Sequence, residues 1–283
     1  METQGRIIKG VGGSYEVACD SEVYTCSAKG IFRNRGITPL IGDRVEFDVI
    51  SERGRTGNVS RILERTNELK RPKVANIDQA LIVFSIIRPV INFDLLDKFL
   101  ILSEKEGVDA VVVLNKSDIS GADEGAKLRR TYEDIGYKVV VMSALTQDGL
   151  GELRPQLSGK VSVLAGPSGV GKSSIVNCIS QRSMETGELS RKIERGKHTT
   201  RHAELIRIDE DTFVVDSPGF TALATDELEP DEIAGCFREF RPFLGGCRFN
   251  DCKHLHEPDC AVKAQIGRAI SQDRYERYRG LMP

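Results

Sequence analysis

The sequence predicts a chain of three parts: a small N-terminal β-barrel, a central doubly wound α/β domain and a C-terminal helical module held by a cysteine and histidine cluster. Its length of 283 residues exceeds that of a usual single domain. The hydrophobic pattern changes near residue 69 from short strands to alternating strands and helices, and the strands stop after residue 226. The predicted domains are residues 1–68, 69–225 and 226–283.

Charge and composition narrow the class of protein. The 40 basic and 42 acidic residues nearly cancel, so any nucleic-acid contact requires local basic patches. No stretch approaches the roughly 20 apolar residues that a membrane span needs, and the N-terminus lacks the long apolar core of a signal peptide. We therefore expect a cytoplasmic protein without a membrane partner.

Residues 5–65 alternate apolar and polar side chains with period two, as in Tyr15, Val17 and Cys19. Turn signals separate about five strand candidates, which favours a small barrel of the OB type, with an SH3-like barrel as the alternative. The segment 66–75 is polar and basic and contains a proline, so the first domain boundary is predicted to lie there.

The central part alternates apolar strands with helices. The apolar run 80–84 is typical of a parallel strand buried on both faces, and an amphipathic helix follows it from Phe93 to Gly107. Such alternation predicts a doubly wound sheet that binds ligands at the carboxyl ends of its strands. Further strands are predicted at 110–114, 138–142, 161–165 and 212–215, and further helices at 125–137, from 150, at 230–240 and up to 279.

Residues 166–173 match the phosphate-binding pattern GxxxxGK[ST] and lie between a predicted strand and a predicted helix. In such a loop backbone N–H groups surround the phosphates, Lys172 reaches the β and γ oxygens, and the Ser173 hydroxyl binds Mg²⁺. Nucleotide contacts are predicted for Gly166, Pro167, Ser168, Gly169, Val170, Gly171, Lys172, Ser173 and Ser174.

Residues 115–118 follow a predicted strand and match the motif NKxD. Asp118 can accept hydrogen bonds from guanine N1 and the exocyclic amine, whereas adenine has no matching donors. Asn115 would fix the loop and Lys116 would pack along the base. The motif therefore selects GTP over ATP. A Ser-Ala pair after the next strand resembles the short guanine-contacting motif that follows NKxD in GTPases. The predicted base-binding residues are Asn115, Lys116, Ser117, Asp118, Ser143 and Ala144.

Two further segments are predicted to respond to the γ-phosphate. Asp216 and Gly219 belong to a DxxG motif, in which Asp216 holds Mg²⁺ through water and the Gly219 N–H contacts the γ-phosphate. The hydroxyl-rich segment 196–202 is predicted to be switch I, with Thr199 or Thr200 binding Mg²⁺ when GTP is bound.

Phe220 stands where many regulatory GTPases carry the glutamine that orients the attacking water. We therefore expect slow intrinsic hydrolysis that rises on a partner, with His198 as the candidate for positioning water. The predicted catalytic residues are His198, Lys172 and Asp216. Unchanged partner-stimulated turnover in His198→Ala would rule out that role for His198.

The order of the motifs is rotated, because NKxD precedes the phosphate loop and DxxG comes last. A rotation preserves the site in space if the old termini are joined and a new break is opened at the surface. DxxG then runs directly into the C-terminal domain, so the γ-phosphate can reposition that domain.

The C-terminal cluster contains three thiols and one imidazole within a short loop. Cys₃His is typical of a closed, structural zinc site in a domain with a small core. The predicted ligands are Cys247, Cys252, His254 and Cys260, with His256 as the alternative imidazole. The fold class is thus α/β, a circularly permuted P-loop GTPase domain with an N-terminal OB-fold barrel and a C-terminal α-helical zinc-binding domain.

Basic residues collect in a barrel loop, in the predicted switch I and on the last helix. Each group alone is compatible with an ordinary solvated face, but together they predict a surface that binds RNA phosphates at several points. The residues are Lys29, Arg33, Arg35, 191–201, Arg268, Arg274, Arg277 and Arg279.

Over essentially its whole length the sequence resembles the RsgA (YjeQ or YloQ) family of GTPases that depend on the small ribosomal subunit. The motifs that carry the resemblance are, in order, GDRVEF, NKSD, GPSGVGKSS, GKHTTRH, DSPGF and CRFNDCKHLHEPDCAV. The resemblance implies a bacterial GTPase that acts late in 30S maturation, binds 16S rRNA near the decoding region and is stimulated by the 30S subunit. We expect a monomer that binds GTP or GDP, Mg²⁺ and one Zn²⁺. Arg201 departs from the pattern, where a threonine or small residue is expected.

Two other functions stay open from the sequence. One is a permuted GTPase that acts on the large subunit, which the barrel and the zinc cluster argue against. The other is a nucleotide-sensing RNA-binding module without meaningful catalysis. GTP turnover with and without purified 30S and 50S particles separates these functions.

Overall fold

The computed structural model describes residues 3–28, 32, 37–70, 72–185, 203–216 and 230–282. In the N-terminal part five strands close into a barrel in the order β1-β2-β3-β5-β4, with β3 parallel to β5 and the other pairs antiparallel. This Greek-key order confirms the OB-type barrel over the SH3-like alternative. The strands are β1 (Thr3–Val11), β2 (Ser14–Cys19), β3 (Glu22–Ala28), β4 (Arg44–Ser51) and β5 (Thr56–Ile62).

The segment 66–75, where the first domain boundary is predicted, contains regular structure. It forms a hairpin of β6 (Glu68–Lys70) and β7 (Lys73–Ala75). Leu69 and Val74 lie opposite each other and are both buried, so two apolar side chains among polar neighbours are enough to anchor the hairpin.

The central sheet has the strand order β10-β9-β8-β11-β13-β12 among the described residues, with β12 antiparallel to β13 and the other pairs parallel. β12 was not predicted, because a short edge strand carries little periodic signal. The strands are β8 (Gln79–Ser85), β9 (Asp109–Asn115), β10 (Lys138–Val141), β11 (Val161–Ala165), β12 (Glu204–Arg207) and β13 (Phe213–Asp216).

Helices cover both faces of this sheet, as a doubly wound fold requires. Leu96 and Phe99 of α1 join Tyr132 of α2 in the core on one face, and Leu153 of α3 joins Ile175 of α4 on the other. The helices and strands predicted in this region are found within a few residues of their predicted limits. The helices are α1 (Phe93–Lys105), α2 (Ala122–Glu133), α3 (Leu150–Leu157) and α4 (Lys172–Glu185).

The C-terminal module is less helical than predicted. The helix expected over 230–240 is replaced by two shorter elements. These are α5 (Pro230–Cys236) and a 3₁₀ helix (Arg238–Phe243). The last helix, α6 (Gln272–Leu281), has only 10 residues. Ser271 is its N-cap, and the Ser271 hydroxyl accepts a hydrogen bond from the Arg274 N–H. A module with so little helix needs another source of stability.

The barrel packs directly on the central sheet. β1 has a bulge at Ile8, which directs this side chain away from the barrel core and into the core shared with Phe213. Arg6 and Arg207 stack on the Phe213 ring, and the Lys9 ammonium lies 3.3 Å from the Glu204 carboxylate. The barrel is therefore joined to the β12–β13 hairpin.

The predicted domain limits stay predictions. The first, between residues 68 and 69, falls within β6, and the second, between 225 and 226, lies outside the described residues. In the part of the chain that the structure describes, no helix combines the length and apolar character needed to cross a bilayer.

A buried ionic network joins the C-terminal module to α1. Arg274 is 1% exposed, and its guanidinium lies 2.5 Å from the Asp97 carboxylate and 2.6 Å from that of Glu239. Arg277 also pairs with Asp97, to which the Tyr132 hydroxyl donates a hydrogen bond. Burial alone would lower the pKa of Arg274, but the two carboxylates raise it. The prediction that Arg274 faces RNA is therefore wrong.

Replacing Arg274 by Ala is expected to lower the free energy of unfolding by about 3–5 kcal/mol, because the change takes from the buried Glu239 carboxylate its arginine partner and leaves Asp97 with Arg277 alone. Urea unfolding measures the loss. Arg279→Ala is the matched control on the same helix, since Arg279 is exposed and pairs with exposed Glu276; it should cost about 0–1 kcal/mol. Equal losses in the two variants would contradict the structural role of Arg274.

Candidate functional site

Loops that are distant in the sequence meet at the carboxyl ends of the central strands. Asn115 ends β9 and residues 116–118 follow it, Ser143 follows β10, the loop 166–173 follows β11, and Asp216 ends β13. β11 is next to β13, and only β8 separates it from β9. The loops after β9, β10 and β11, together with the first turns of α4, border a pocket of about 430 Å³. It is lined by Asn115, Lys116, Asp118, Ala144, Leu145, Gln147, Gly171, Ser174, Asn177 and Cys178.

Asn115 connects three of these loops. Its side-chain Nδ2 donates to the carbonyl oxygen of Val170 at 2.8 Å, and its Oδ1 accepts from the Ala144 N–H at 3.0 Å. The side chain is 2% exposed, so it is inaccessible to bulk water. A buried amide with both ends bonded fixes the relative positions of the loops around the pocket.

Two glycines of the loop 166–173 are required by close packing. A Cβ atom at Gly171 would overlap the Asn115 amide nitrogen, and one at Gly166 would overlap the Val83 carbonyl oxygen on β8. Both residues also have positive φ, 101° and 142°. The glycine spacing of the motif thus brings this loop against the base-binding loop and the neighbouring strand.

Lys116 spans two backbone segments. Its ammonium donates to the carbonyl oxygens of Gly169 at 2.7 Å and Arg88 at 2.6 Å. Lys116 itself adopts the left-handed conformation with φ 65°. Its side chain therefore forms one wall of the pocket and ties that wall to the loop 166–173.

Asp118 is oriented by Ser143. The Ser143 hydroxyl donates to Asp118 Oδ1 at 2.6 Å and accepts from the N–H groups of Leu145 and Thr146. Ser143 is fully buried, so packing fixes the position of its hydroxyl. The Ser-Ala pair, which is a weak signal in the sequence, holds the carboxylate at the pocket wall.

Lys172 and Ser173 lie where the loop 166–173 becomes α4. The Lys172 ammonium donates to the carbonyl oxygens of Gly166 at 2.6 Å and Pro167 at 2.8 Å, and burial lowers the pKa of Lys172. The Ser173 side chain is exposed at the helix N-terminus, where backbone N–H groups favour anions.

Asp216 ends β13 directly beside this loop, because Val215 pairs with Val163 of β11. Its carboxylate and the Ser173 hydroxyl are hard oxygen donors of the kind that Mg²⁺ prefers. The other predicted site residues of the switch segments lie outside the described residues, as does Phe220. They are His198, Thr199, Thr200 and Gly219.

Sequence reasoning missed four residues that line the pocket: Leu145, Gln147, Asn177 and Cys178. Asn177 and Cys178 lie three and four positions after Ser174 on α4, so helical spacing could have identified them. Leu145 is 83% exposed, so its apolar side chain is accessible to a ligand in the pocket.

The four predicted metal ligands come together. The atoms Cys247 Sγ, Cys252 Sγ, His254 Nδ1 and Cys260 Sγ all lie within 4.8 Å of one another. The His254 Nδ1 lies 3.3–3.5 Å from the three sulfur atoms, and Cys247 Sγ lies 3.8 Å from Cys260 Sγ. Tetrahedral zinc with bonds of about 2.3 Å to sulfur and 2.0 Å to nitrogen places its ligands roughly 3.5–3.8 Å apart, so this donor set is compatible with zinc.

The surroundings favour His254 over His256 as the imidazole of this cluster. His254 is buried, and its carbonyl oxygen accepts a hydrogen bond from the Tyr275 hydroxyl at 2.7 Å. Burial also lowers the pKa of its ring, which favours the neutral form that binds metals. His256 is exposed.

Burial alone would raise the pKa of Glu257, but the N–H groups of the loop, including that of Lys253, lower it to about 2.

The arrangement on the sheet defines the class of protein. A phosphate-binding loop follows β11, an NKxD loop follows β9, and a DxxG aspartate ends the adjacent β13. Together these features make the central domain a P-loop GTPase, and their order along the chain makes it a circularly permuted one.

Comparison with known proteins agrees with this class. The model of the RsgA GTPase family matches residues 62–226, and that of the RsgA N-terminal domain matches residues 4–56. The chain belongs to the RsgA GTPase family and is therefore a GTP hydrolase.

Individual relatives cover nearly the whole chain. The small ribosomal subunit biogenesis GTPase RsgA of Agathobacter rectalis is 44% identical over 97% of this chain and 95% of its own length, and that of Alkaliphilus metalliredigens is 46% identical over 98% and 95%. The crystal structure of YloQ, a circularly permuted GTPase, has a TM-score of 0.84 at 37% identity and covers 100% of this chain and 94% of that one. YjeQ from Thermotoga maritima has a TM-score of 0.85 at 35% identity, with 99% and 97% covered.

Proposed function

We propose that this chain is a GTPase of small ribosomal subunit biogenesis, which binds the 30S subunit through 16S rRNA and hydrolyses GTP faster on that particle. The observation that supports the nucleotide part best is the Asn115 side chain, which joins the base-binding loops to the phosphate loop around one pocket. The names of the relatives in Agathobacter rectalis and Alkaliphilus metalliredigens support the ribosomal part.

Each part of GTP has a set of residues to receive it. Asp118, held by Ser143, accepts hydrogen bonds from the guanine edge, and Lys116 lies along the base. The backbone N–H groups of the loop 166–173 and the Lys172 ammonium bind the phosphates. Bound Mg²⁺ would neutralise charge on the phosphate oxygens, with the Ser173 hydroxyl and the Asp216 carboxylate as its protein partners.

The roles of His198, of the threonines at 199 and 200 and of Gly219 stay predictions. We also propose that the chain works in the cytoplasm, in keeping with relatives named for a ribosomal subunit. We further propose that it is a monomer. Light scattering should then give a mass near 31.3 kDa for the protein in solution, and twice that mass would contradict the monomer.

We propose that Cys247, Cys252, His254 and Cys260 hold one structural Zn²⁺. All four tetrahedral positions would be occupied by protein atoms, which leaves no position for a reacting water. The metal would therefore stabilise the C-terminal module, whose apolar core is small and whose helices are short.

GTP turnover with purified ribosomal subunits tests the proposed function. We expect addition of 30S subunits to raise the rate and addition of 50S subunits to leave it unchanged, with Lys172→Ala as the inactive control. Stimulation by 50S alone would favour a large-subunit factor. Equal rates under all conditions would contradict the ribosomal part of the proposal.

Leu145 gives a further test of the pocket. We expect Leu145→Ala to weaken GDP and GTP binding by about 3- to 10-fold, because the exposed side chain can cover an apolar face of the base and burying it contributes about 1 kcal/mol. Titration with a fluorescent guanine nucleotide measures this change. Ile50→Ala is the control, since Ile50 is also an exposed apolar residue but lies on the barrel; equal affinities in the two variants would contradict the role of Leu145.

The structure reduces the C-terminal part of the predicted RNA-binding surface. On the last helix and the segment before it, Arg268 and Arg279 are exposed, whereas Arg274 is buried and Arg277 is largely covered and paired with Asp97. The basic residues of the barrel loop and of switch I lie outside the described residues. Of the predicted basic surface, the described residues therefore contribute Arg268 and Arg279.

A further inference from the structure

We propose that Asn177 on α4 recognises a ribose hydroxyl of the guanine nucleotide and so sets a preference of the site for ribonucleotides over their deoxy analogues. The inference rests on the nucleotide part of the proposed function, because it concerns the same pocket. Asn177 lines this pocket, and its side chain is exposed. The residue belongs to neither NKxD nor the phosphate loop.

The pocket has two walls. One wall consists of the loops after β9 and β10, from which Asp118 presents its carboxylate. The other wall is the start of α4, where Ser174 and Asn177 lie three residues apart and therefore on the same side of the helix. The rise of an α-helix places Asn177 about 4.5 Å farther along α4 than Ser174.

The two ends of a guanine nucleotide are assigned to other residues. Asp118 receives the guanine edge, and the loop 166–173 receives the phosphates. The ribose joins the base to the phosphates, so it occupies the part of the pocket between Asp118 and this loop. The α4 wall continues directly from the loop and borders that part of the pocket through Ser174 and Asn177.

The Asn177 carboxamide is available to a ligand. No described residue forms a hydrogen bond with it, whereas the Asn115 carboxamide is buried and bonded at both ends. A carboxamide has two N–H donors and an oxygen acceptor, and a ribose hydroxyl both donates and accepts, so the two groups are complementary. Binding would replace hydrogen bonds to water and would break none to a described residue.

The neighbouring side chains of the pocket are less suited to this contact. Leu145 has no polar group, and Cys178 is buried and carries a thiol, which is a weak donor. Ser174 has a hydroxyl but lies nearly one helical turn closer to the phosphate loop. Among the described residues of the α4 wall, Asn177 is therefore the one best placed to bind the sugar.

Calorimetric titration with GDP, 2′-deoxy-GDP and 3′-deoxy-GDP tests the inference, because these nucleotides carry no label on the sugar. We expect the wild-type protein to bind GDP about 3- to 10-fold more tightly than one of the two deoxy analogues, as one neutral hydrogen bond allows. In Asn177→Ala, GDP should lose this factor while that analogue keeps its affinity, so the preference disappears. Asn177→Leu keeps the size of the side chain without its hydrogen bonds and should behave like Asn177→Ala.

The matched control is Gln147→Ala, which removes a carboxamide from the opposite wall of the same pocket and should keep the preference for GDP. A preference that persists in Asn177→Ala, or that disappears in Gln147→Ala, would overturn the assignment to Asn177. Equal binding of all three nucleotides by the wild-type protein, or an equal loss for all three in Asn177→Ala, would also overturn it. These results leave the proposed function intact, whereas wild-type protein that binds no guanine nucleotide would overturn both.

Discussion

Replacing Asp118 by Asn is expected to weaken GDP and GTP binding by at least about 100-fold. The carboxylate can accept two hydrogen bonds from the guanine edge, and hydrogen bonds to a charged group contribute about 1.5–3 kcal/mol each. An amide presents a donor to one of the guanine donors, so one bond is lost and a repulsive contact replaces it. Equilibrium titration with a fluorescent guanine nucleotide measures the loss.

The same variant should gain affinity for xanthine nucleotides. Xanthine has a carbonyl oxygen where guanine has its amine, and the amide introduced by Asp118→Asn can donate to that oxygen. Asp148→Asn is the matched control, because it removes the same charge from the loop after β10 but does not line the pocket. Unchanged GDP affinity in Asp118→Asn, or equal binding of ATP and GTP by the wild-type protein, would contradict the site.

Replacing Cys260 by Ser is expected to remove the zinc and unfold the C-terminal module. A structural zinc contributes roughly 10–16 kcal/mol to such small sites, which exceeds the stability of a typical domain. Metal analysis should show about one zinc per wild-type chain and almost none in the variant. The loss of near-ultraviolet circular dichroism from Tyr275 and Tyr278, which pack in this module, should accompany it.

Two controls separate ligand loss from a general packing defect. Cys236→Ser makes the same substitution at a buried thiol in the same apolar core but outside the cluster, so it should keep its zinc. His256→Ala should also keep the metal, whereas His254→Ala should lose it. A Cys260→Ser protein that retains one zinc per chain would contradict the assignment of this ligand.

Ion pairs between the C-terminal module and α1 restrict how far nucleotide binding can move the module. Besides the Asp97–Arg274 pair, the Glu104 carboxylate pairs with Arg238 at 2.5 Å and with Arg241 at 2.6 Å. A movement of the whole module away from α1 would break these ion pairs and expose Asp97. Smaller shifts, in which the module and α1 move together, keep them and have a lower cost.

Motif chemistry is predictable because it depends on local residue types. The phosphate loop, NKxD and Cys₃His require particular side chains at fixed spacing, so residue type and spacing alone predict the roles of Lys172, Asp118 and Cys260. The main strands are also predictable, since a buried parallel strand is a continuous apolar run. The family resemblance depends on the same motifs.

The amino-acid sequence by itself thus determined the chemistry of the site, its three-part organisation and the rotated order of its motifs. Only the tertiary structure decided that Arg274 is buried, that Ser143 orients Asp118 and that residues 68–75 form a hairpin. The physical reason is that burial and pairing depend on partners far along the chain. Asp97 and Arg277 are 180 positions apart, and no local pattern around either residue specifies the other.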